Sequence, residues 1–126
     1  MEKLTLIKVG GKIVEEDITL HGLLRDFSEI GGAKALVHGG GRLATKLAER
    51  LGVESRMVEG RRITDAETLR IVTMVYAGLV NKNIVARLQA LNVNAVGLTG
   101  ADMNIMHSDK RPAGTVDYGF VGDVKE

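Results

Sequence analysis

Ala35-Leu36-Val37-His38-Gly39-Gly40-Gly41-Arg42 is the stretch on which the fold turns. A short apolar run stops at three successive glycines, and a helical pattern follows at once. The first N–H groups of a helix lack intrahelical partners and carry the positive end of its dipole, so this order aims bare backbone donors at an anion. Glycine there lets a ligand approach without a Cβ in the way. A plain tight turn is the competing reading of three glycines taken alone. Two better-known phosphate signatures are absent. No Gly-x-x-x-x-Gly-Lys-Ser/Thr occurs in the chain, and the dinucleotide fingerprint wants glycine at position 44, where Ala44 stands.

Upstream, Lys3 to Val9 reads as a strand of buried character that ends at a second glycine turn, Gly10-Gly11. Lys8 lies on its last turn. A buried ammonium is costly unless an anion meets it, which makes Lys8 the first catalytic candidate; the competing reading is an edge strand with Lys8 in water. Asp17 to Ile30 places Ile18, Leu20, Leu23, Leu24, Phe27 and Ile30 on one helical face, with Asp17 as N-cap and Gly31-Gly32 as stop. Ala33 to His38 is the next strand, and Arg42 to Leu51 a helix with Leu43, Leu47 and Leu51 inward and Gly52 as its end. Strands joined through helices in this way form parallel β-α-β units, whose ligands bind beyond the carboxyl ends of the strands. Both glycine turns lie at such ends. That coincidence is the strongest physical signal in the chain.

Downstream, Ser55 to Thr64 reads as a hairpin about Glu59-Gly60. Only one of Arg61 and Arg62 can face a pocket, where a guanidinium can grip a carboxylate through paired hydrogen bonds; otherwise both are solvated. Thr64 and Glu67 have capping-box spacing and open a helix running to about Leu91, roughly 40 Å long. From Ile71 to Val80 this helix is apolar on nearly every side, so a second surface must cover it. We expect a homodimer through helix 65–91, with a missing further domain as the rival cover, and Asn81 and Lys82 as structural or interface polar groups. Asn94 to Leu98 reads as a third buried strand that ends in Thr99-Gly100-Ala101-Asp102. A short strand over Asn104 to Ser108, a loop from Asp109 to Gly114 and a glycine-kinked strand from Tyr118 to Asp123 complete the reading.

Composition narrows the function classes. With 126 residues, 44% of them hydrophobic and 26% charged, this is the profile of one soluble globular domain. A net charge of +1 and 3% aromatic residues give no electrostatic or stacking case for nucleic acid, and no partner of that class is expected. The absence of cysteine removes disulfides, thiolate metal sites and cysteine nucleophiles. His21, His38 and His107 lack metal-ligand spacing, so no metal site is expected; His38 reads as structural and His21 as a surface residue. The longest uncharged apolar run is half a membrane span, and a strand pattern starts almost at Met1, so neither membrane nor secretory leader is expected. A cytoplasmic location follows.

The motifs combine into a resemblance. Lys8-Val9-Gly10-Gly11, Val37-His38-Gly39-Gly40-Gly41, Gly60-Arg61-Arg62-Ile63-Thr64, Leu98-Thr99-Gly100-Ala101-Asp102 and Gly119-Phe120-Val121-Gly122 occur in this order over the whole chain. Together they resemble the amino-terminal half of the N-acetylglutamate kinases, a branch of the amino acid kinase family. They fit this branch better than uridylate kinases, aspartokinases or glutamate 5-kinases.

The resemblance implies a three-layer α/β/α fold with a mainly parallel central sheet, carbamate kinase-like, of which residues 1–126 form the amino-terminal, acyl-glutamate-binding lobe. It implies transfer of the γ-phosphoryl of ATP, carried with Mg2+, to the side-chain carboxylate of an N-acyl-glutamate in arginine biosynthesis. Carried over by motif, Lys8 stabilises charge on the transferring phosphoryl group, and Gly10 and Gly11 donate backbone N–H groups to ATP phosphates. Gly40 and Gly41 hold the glutamate side chain and phosphoryl group, and Arg62 pairs with the α-carboxylate. The family's second half, with its adenine site, second lysine and orienting aspartate, lies outside these residues. So does the extra amino-terminal helix of arginine-inhibited members, which leads us to expect the arginine-insensitive, dimeric type. The alternative is a non-catalytic module that binds an acidic amino acid or phosphate. A dinucleotide-binding oxidoreductase half is disfavoured by the fingerprint spacing.

Overall fold

The computed structural model describes residues 2–125. Strand β1 (Thr5–Val9) and strand β2 (Lys34–His38) pair in parallel, with Ile7 opposite Leu36 and Lys8 opposite Val37. Between them run α1 (Gly11–Glu15) and α2 (Asp17–Glu29), the crossover that a parallel pair requires. Side chains alternate along both strands. Ile7, Val9 and Leu36 meet the helices, while Leu4, Leu6 and Val37 are exposed on the open face. The core is one cluster: Val9, Val14, Leu20, Leu24 and Phe27 pack with Ala44 and Ala48 of α3 (Gly41–Arg50) and with the long helix.

Helix α2 opens one residue earlier than expected. Glu16 is its N-cap, its carboxylate accepting from the Thr19 hydroxyl, and Asp17 pairs with Arg87 across the fold instead. Its end is closed by Lys34, whose ammonium donates to the carbonyls of Phe27, Ser28 and Ile30 at 2.7–2.9 Å. A cation on the last carbonyls of a helix satisfies orphan acceptors and complements the dipole.

The long helix is continuous but not uniform. Helix α4 (Ala66–Thr73) passes into a π-helical segment, Met74–Val80, and then α5 (Asn81–Ala90). The apolar side chains it buries are Ile71, Val75, Val80, Ile84 and Leu88. All the intervals are four residues except the one from Val75 to Val80, which is five. A π turn holds one extra residue, so it returns the chain to the same face and keeps both halves of the helix in phase with the core. The cap is Asp65 rather than Thr64: its carboxylate accepts from the Thr68 N–H at 2.8 Å. Met74 and Leu79 remain exposed on the outer side.

The hairpin is present as β3 (Arg56–Val58) and β4 (Arg61–Ile63), turning at Glu59 and Gly60, both with positive φ. The expected third strand is not in a ladder. Residues 93–99 keep alternating exposure, yet the Gly97 carbonyl accepts from the Lys82 ammonium and the Leu98 carbonyl from the Asn81 amide. Side chains of α5 have taken the place of a neighbouring strand. The readings after Leu98 shift as well. Asp102–Asn104 is a short 3-10 turn, and β5 (Ser108–Lys110) pairs antiparallel with β6 (Gly122–Val124), so Asp109 and Lys110 lie in a strand rather than a loop. Tyr118 to Val121 instead docks on the hairpin's end: Thr64 N–H donates to the Tyr118 carbonyl and Phe120 N–H to the Thr64 carbonyl. Gly119 has φ of 74°, and a Cβ there would stand 2.2 Å from the Thr64 carbonyl oxygen, so only glycine permits this contact. No helix among the described residues is long and apolar enough to cross a membrane.

Candidate functional site

The second glycine turn is built against the long helix. Gly40 precedes α3, and a Cβ on it would lie 3.3 Å from Val80 Cγ2, 3.6 Å from Val75 Cγ1 and 3.7 Å from Tyr76 Cδ1. A Cβ on Gly41 would lie 3.2 Å from the Tyr76 hydroxyl and 3.9 Å from Arg62 Nη2. The glycines are therefore set by close packing on the π segment as well as by access to the start of α3.

Arg62 is held at this turn. Its Nη2 donates to the Gly41 carbonyl (2.9 Å) and the Thr45 hydroxyl (3.0 Å), and its Nη1 to the Ser55 hydroxyl (3.1 Å). Thr45 in turn donates to the Gly41 carbonyl at 3.0 Å. A guanidinium has five N–H donors, and these bonds take three, which leaves two for an anion. Arg62 is half-buried, whereas the neighbouring Arg61 is exposed. Arg61, Arg62, Thr64, Val72, Tyr76 and Val121 line a shallow hollow of about 370 Å3. Gly40, Gly41 and Arg62 thus come together. Thr45, Ser55 and Tyr76 join them, and no motif in the sequence singles out any of these three. The one trace of Tyr76's placement is the five-residue interval between Val75 and Val80.

His38 is a structural residue. Its Nδ1 lies 2.9 Å from the Gly39 carbonyl and therefore donates to it, so Nε2 is the acceptor for the Asn81 amide at 3.1 Å. Asn81 Oδ1 accepts from Lys82 at 2.8 Å. This chain of bonds ties the end of β2 to α5 and to the 97–98 backbone, as expected for structural polar groups.

The first glycine turn is different. Gly10 and Gly11 open α1, and a Cβ on either would meet nothing within 4 Å. Lys8 is exposed on the open face of the sheet, and among the described residues it makes no ion pair. The Thr99 to Asp102 turn closes on itself. Asp102 accepts from the Thr99 N–H and hydroxyl, and these bonds hold its carboxyl below the usual range. Among the described residues no three acidic or histidine side chains gather to hold a metal ion.

An α/β unit with an arginine fixed at a glycine-opened helix is geometry that suits a small anion. The particular family is settled by comparison: the model of the amino acid kinase family matches residues 3–126, and the chain belongs to that family. It is 78% identical over 126 residues to the acetylglutamate kinase of Parabacteroides distasonis, covering 100% of this chain and 49% of that protein. To the acetylglutamate kinase of Methanopyrus kandleri it is 43% identical, covering 95% of this chain and 48% of that one. The chain spans about half the length of the curated relatives it matches. Among solved structures, a Streptococcus mutans protein superposes with a TM-score of 0.75 at 27% identity, over 97% of this chain and 49% of that one. An N-acetylglutamate synthase from Neisseria gonorrhoeae, complexed with coenzyme A and N-acetyl-glutamate, superposes at 0.72 and 23% identity over 98% of this chain and 28% of that one, and so shares the fold.

Proposed function

We propose that this chain is the substrate-binding half of a kinase that phosphorylates the side-chain carboxylate of N-acetyl-L-glutamate, or another N-acyl-glutamate, in arginine biosynthesis. The observation that carries the reading is the fixing of Arg62 beside Gly40 and Gly41 at the start of α3. A fixed guanidinium and a helix N-terminus suit a substrate with more than one carboxylate. The names of relatives matched over 95–100% of the chain agree with it.

In this reading Arg62 takes the α-carboxylate, and the N–H groups at Gly40 and Gly41 hold the side-chain carboxylate and the phosphoryl group moving onto it. Lys8 and the Gly10 and Gly11 N–H groups face the phosphates of ATP. A carboxylate is already a nucleophile at neutral pH, so no general base is needed and the work is positioning and charge stabilisation. Mg2+ would arrive with the ATP phosphates; the described residues offer it no carboxylate cluster, and no step here runs through it. Exposed Met74 and Leu79 on the outer side of helix 65–91 support a homodimer through that helix. A biosynthetic kinase of this kind belongs in the cytoplasm.

Calorimetric titration with N-acetylglutamate and, separately, N-succinylglutamate tests the reading. Binding of either, weakened in Arg62→Lys because the planar fork is lost, is the expected result. Absence of heat with both would overturn the assignment of the substrate site to this chain.

A further inference from the structure

Tyr76 stands where the helix departs from regular geometry. The Asn81 N–H donates to the Tyr76 carbonyl five residues back, the bond that defines the π turn. In that wider turn Val75, Tyr76 and Val80 all reach Gly40, so Tyr76 is drawn towards the glycine turn beside two buried valines. Its ring lies against Gly40 and its hydroxyl is at the front of Gly41, with the Arg62 guanidinium beside the same point. Both Nη2 hydrogens are spent on Gly41 and Thr45, so the donors left for an anion are on Nη1 and Nε. Any side chain at position 41 would cover the hydroxyl. A half-buried phenol usually finds a partner, yet among the described residues the Tyr76 hydroxyl makes no hydrogen bond, and it opens on the hollow shared with Arg62.

We propose that Tyr76 is a further substrate-binding residue, whose hydroxyl donates a hydrogen bond to the carboxylate that Arg62 grips. This rests on the substrate-half reading above. The π turn is the device that delivers it: an uninterrupted α-helix would hold Val75 and Val80 out of phase and turn position 76 off the glycines.

The chain supplies its own probe, since it has two tyrosines and no tryptophan. In a Tyr118→Phe background, tyrosine emission comes from Tyr76 alone. Titration with N-acetylglutamate is followed by emission and by calorimetry, for this background, for Tyr76→Phe in the otherwise native chain, and for the native chain itself. The expected result is an emission change saturating with the heat, and Tyr76→Phe binding weakened about ten- to a hundredfold, the range for a hydrogen bond to a charged group. The thermal midpoint of Tyr76→Phe should match the native chain, which separates binding from packing. Normal heat with unchanged emission and unchanged affinity in Tyr76→Phe overturns the role of Tyr76 and leaves the substrate site standing. No heat in the native chain overturns both.

Discussion

The two glycine turns look alike in sequence and are opposites in structure. Each ends a strand of the same parallel pair and opens a helix. At Gly10 and Gly11 an added Cβ meets open space, the helix has five residues, and the nearby lysine projects into water. At Gly40 and Gly41 an added Cβ meets two buried valines, a tyrosine and an arginine already spending three of its donors. One turn carries no packing that a ligand contact would disturb. The other is packed into the fold, so under the proposed reading its residues cannot change for one purpose without disturbing the other.

The largest expected effect separates chemistry from stability at the first turn. Lys8→Ala, introduced in a full-length enzyme carrying this half, should lower turnover by on the order of 10²–10³, as loss of one charge-stabilising donor does. Because Lys8 is exposed, the thermal midpoint should stay within error. A native turnover number would remove Lys8 from the site, and a large loss of stability would erase the contrast between the turns.

The second turn should behave in reverse. Gly40→Ala presses a methyl against Val80 Cγ2, and overpacking of this kind costs about 1–3 kcal/mol. Gly10→Ala, with nothing within reach, should stay within about 0.5 kcal/mol of the native chain. Urea unfolding of both, and of Gly40→Ala combined with Val80→Ala, reads the difference. If packing is the cause, Val80→Ala relieves part of the Gly40→Ala cost and the cycle is non-additive. Simple additivity would mean that the glycine is there for backbone conformation or ligand access instead.

Much of this contrast is legible in the sequence. Strand, glycine turn and helix are written in local periodicity and turn chemistry, and so is a hairpin around Glu59-Gly60 that puts one arginine inward. What escaped was whatever depends on partners distant in sequence. The π turn spends its extra residue to align Ile71 and Val75 with Val80, Ile84 and Leu88, and that alignment exists only against a packed core. Asn94 to Leu98 has the alternation of a strand, but pairing needs a neighbour, and Asn81 and Lys82 claim its carbonyls. The cap moved by one residue because Thr64 and Asp65 are both good caps, and Thr64 is committed to Tyr118 and Phe120.

That displaced cap gives the smallest and sharpest test, since Asp65 starts the helix against which the second turn is packed. Its carboxyl is held below the usual range first by the Thr68 N–H and then by the Thr68 hydroxyl. A lowered folded-state pKa contributes stability that is present above the unfolded value, near 3.8, and is lost as pH falls through the folded value. Asp102, bonded to Thr99, and Asp123, bonded to Arg111, titrate with the same sign, so acid sensitivity alone does not single out the cap. Asp65→Asn does. Asparagine keeps an oxygen for the Thr68 N–H and caps about as well, but cannot ionise. Near pH 7 the two chains should melt within a few degrees of each other; below about pH 4 the native chain should lose stability faster than the variant. If the two acid limbs run parallel, the Asp65 charge does nothing for the helix, and whatever its cap gives the second turn comes from the hydrogen bond alone.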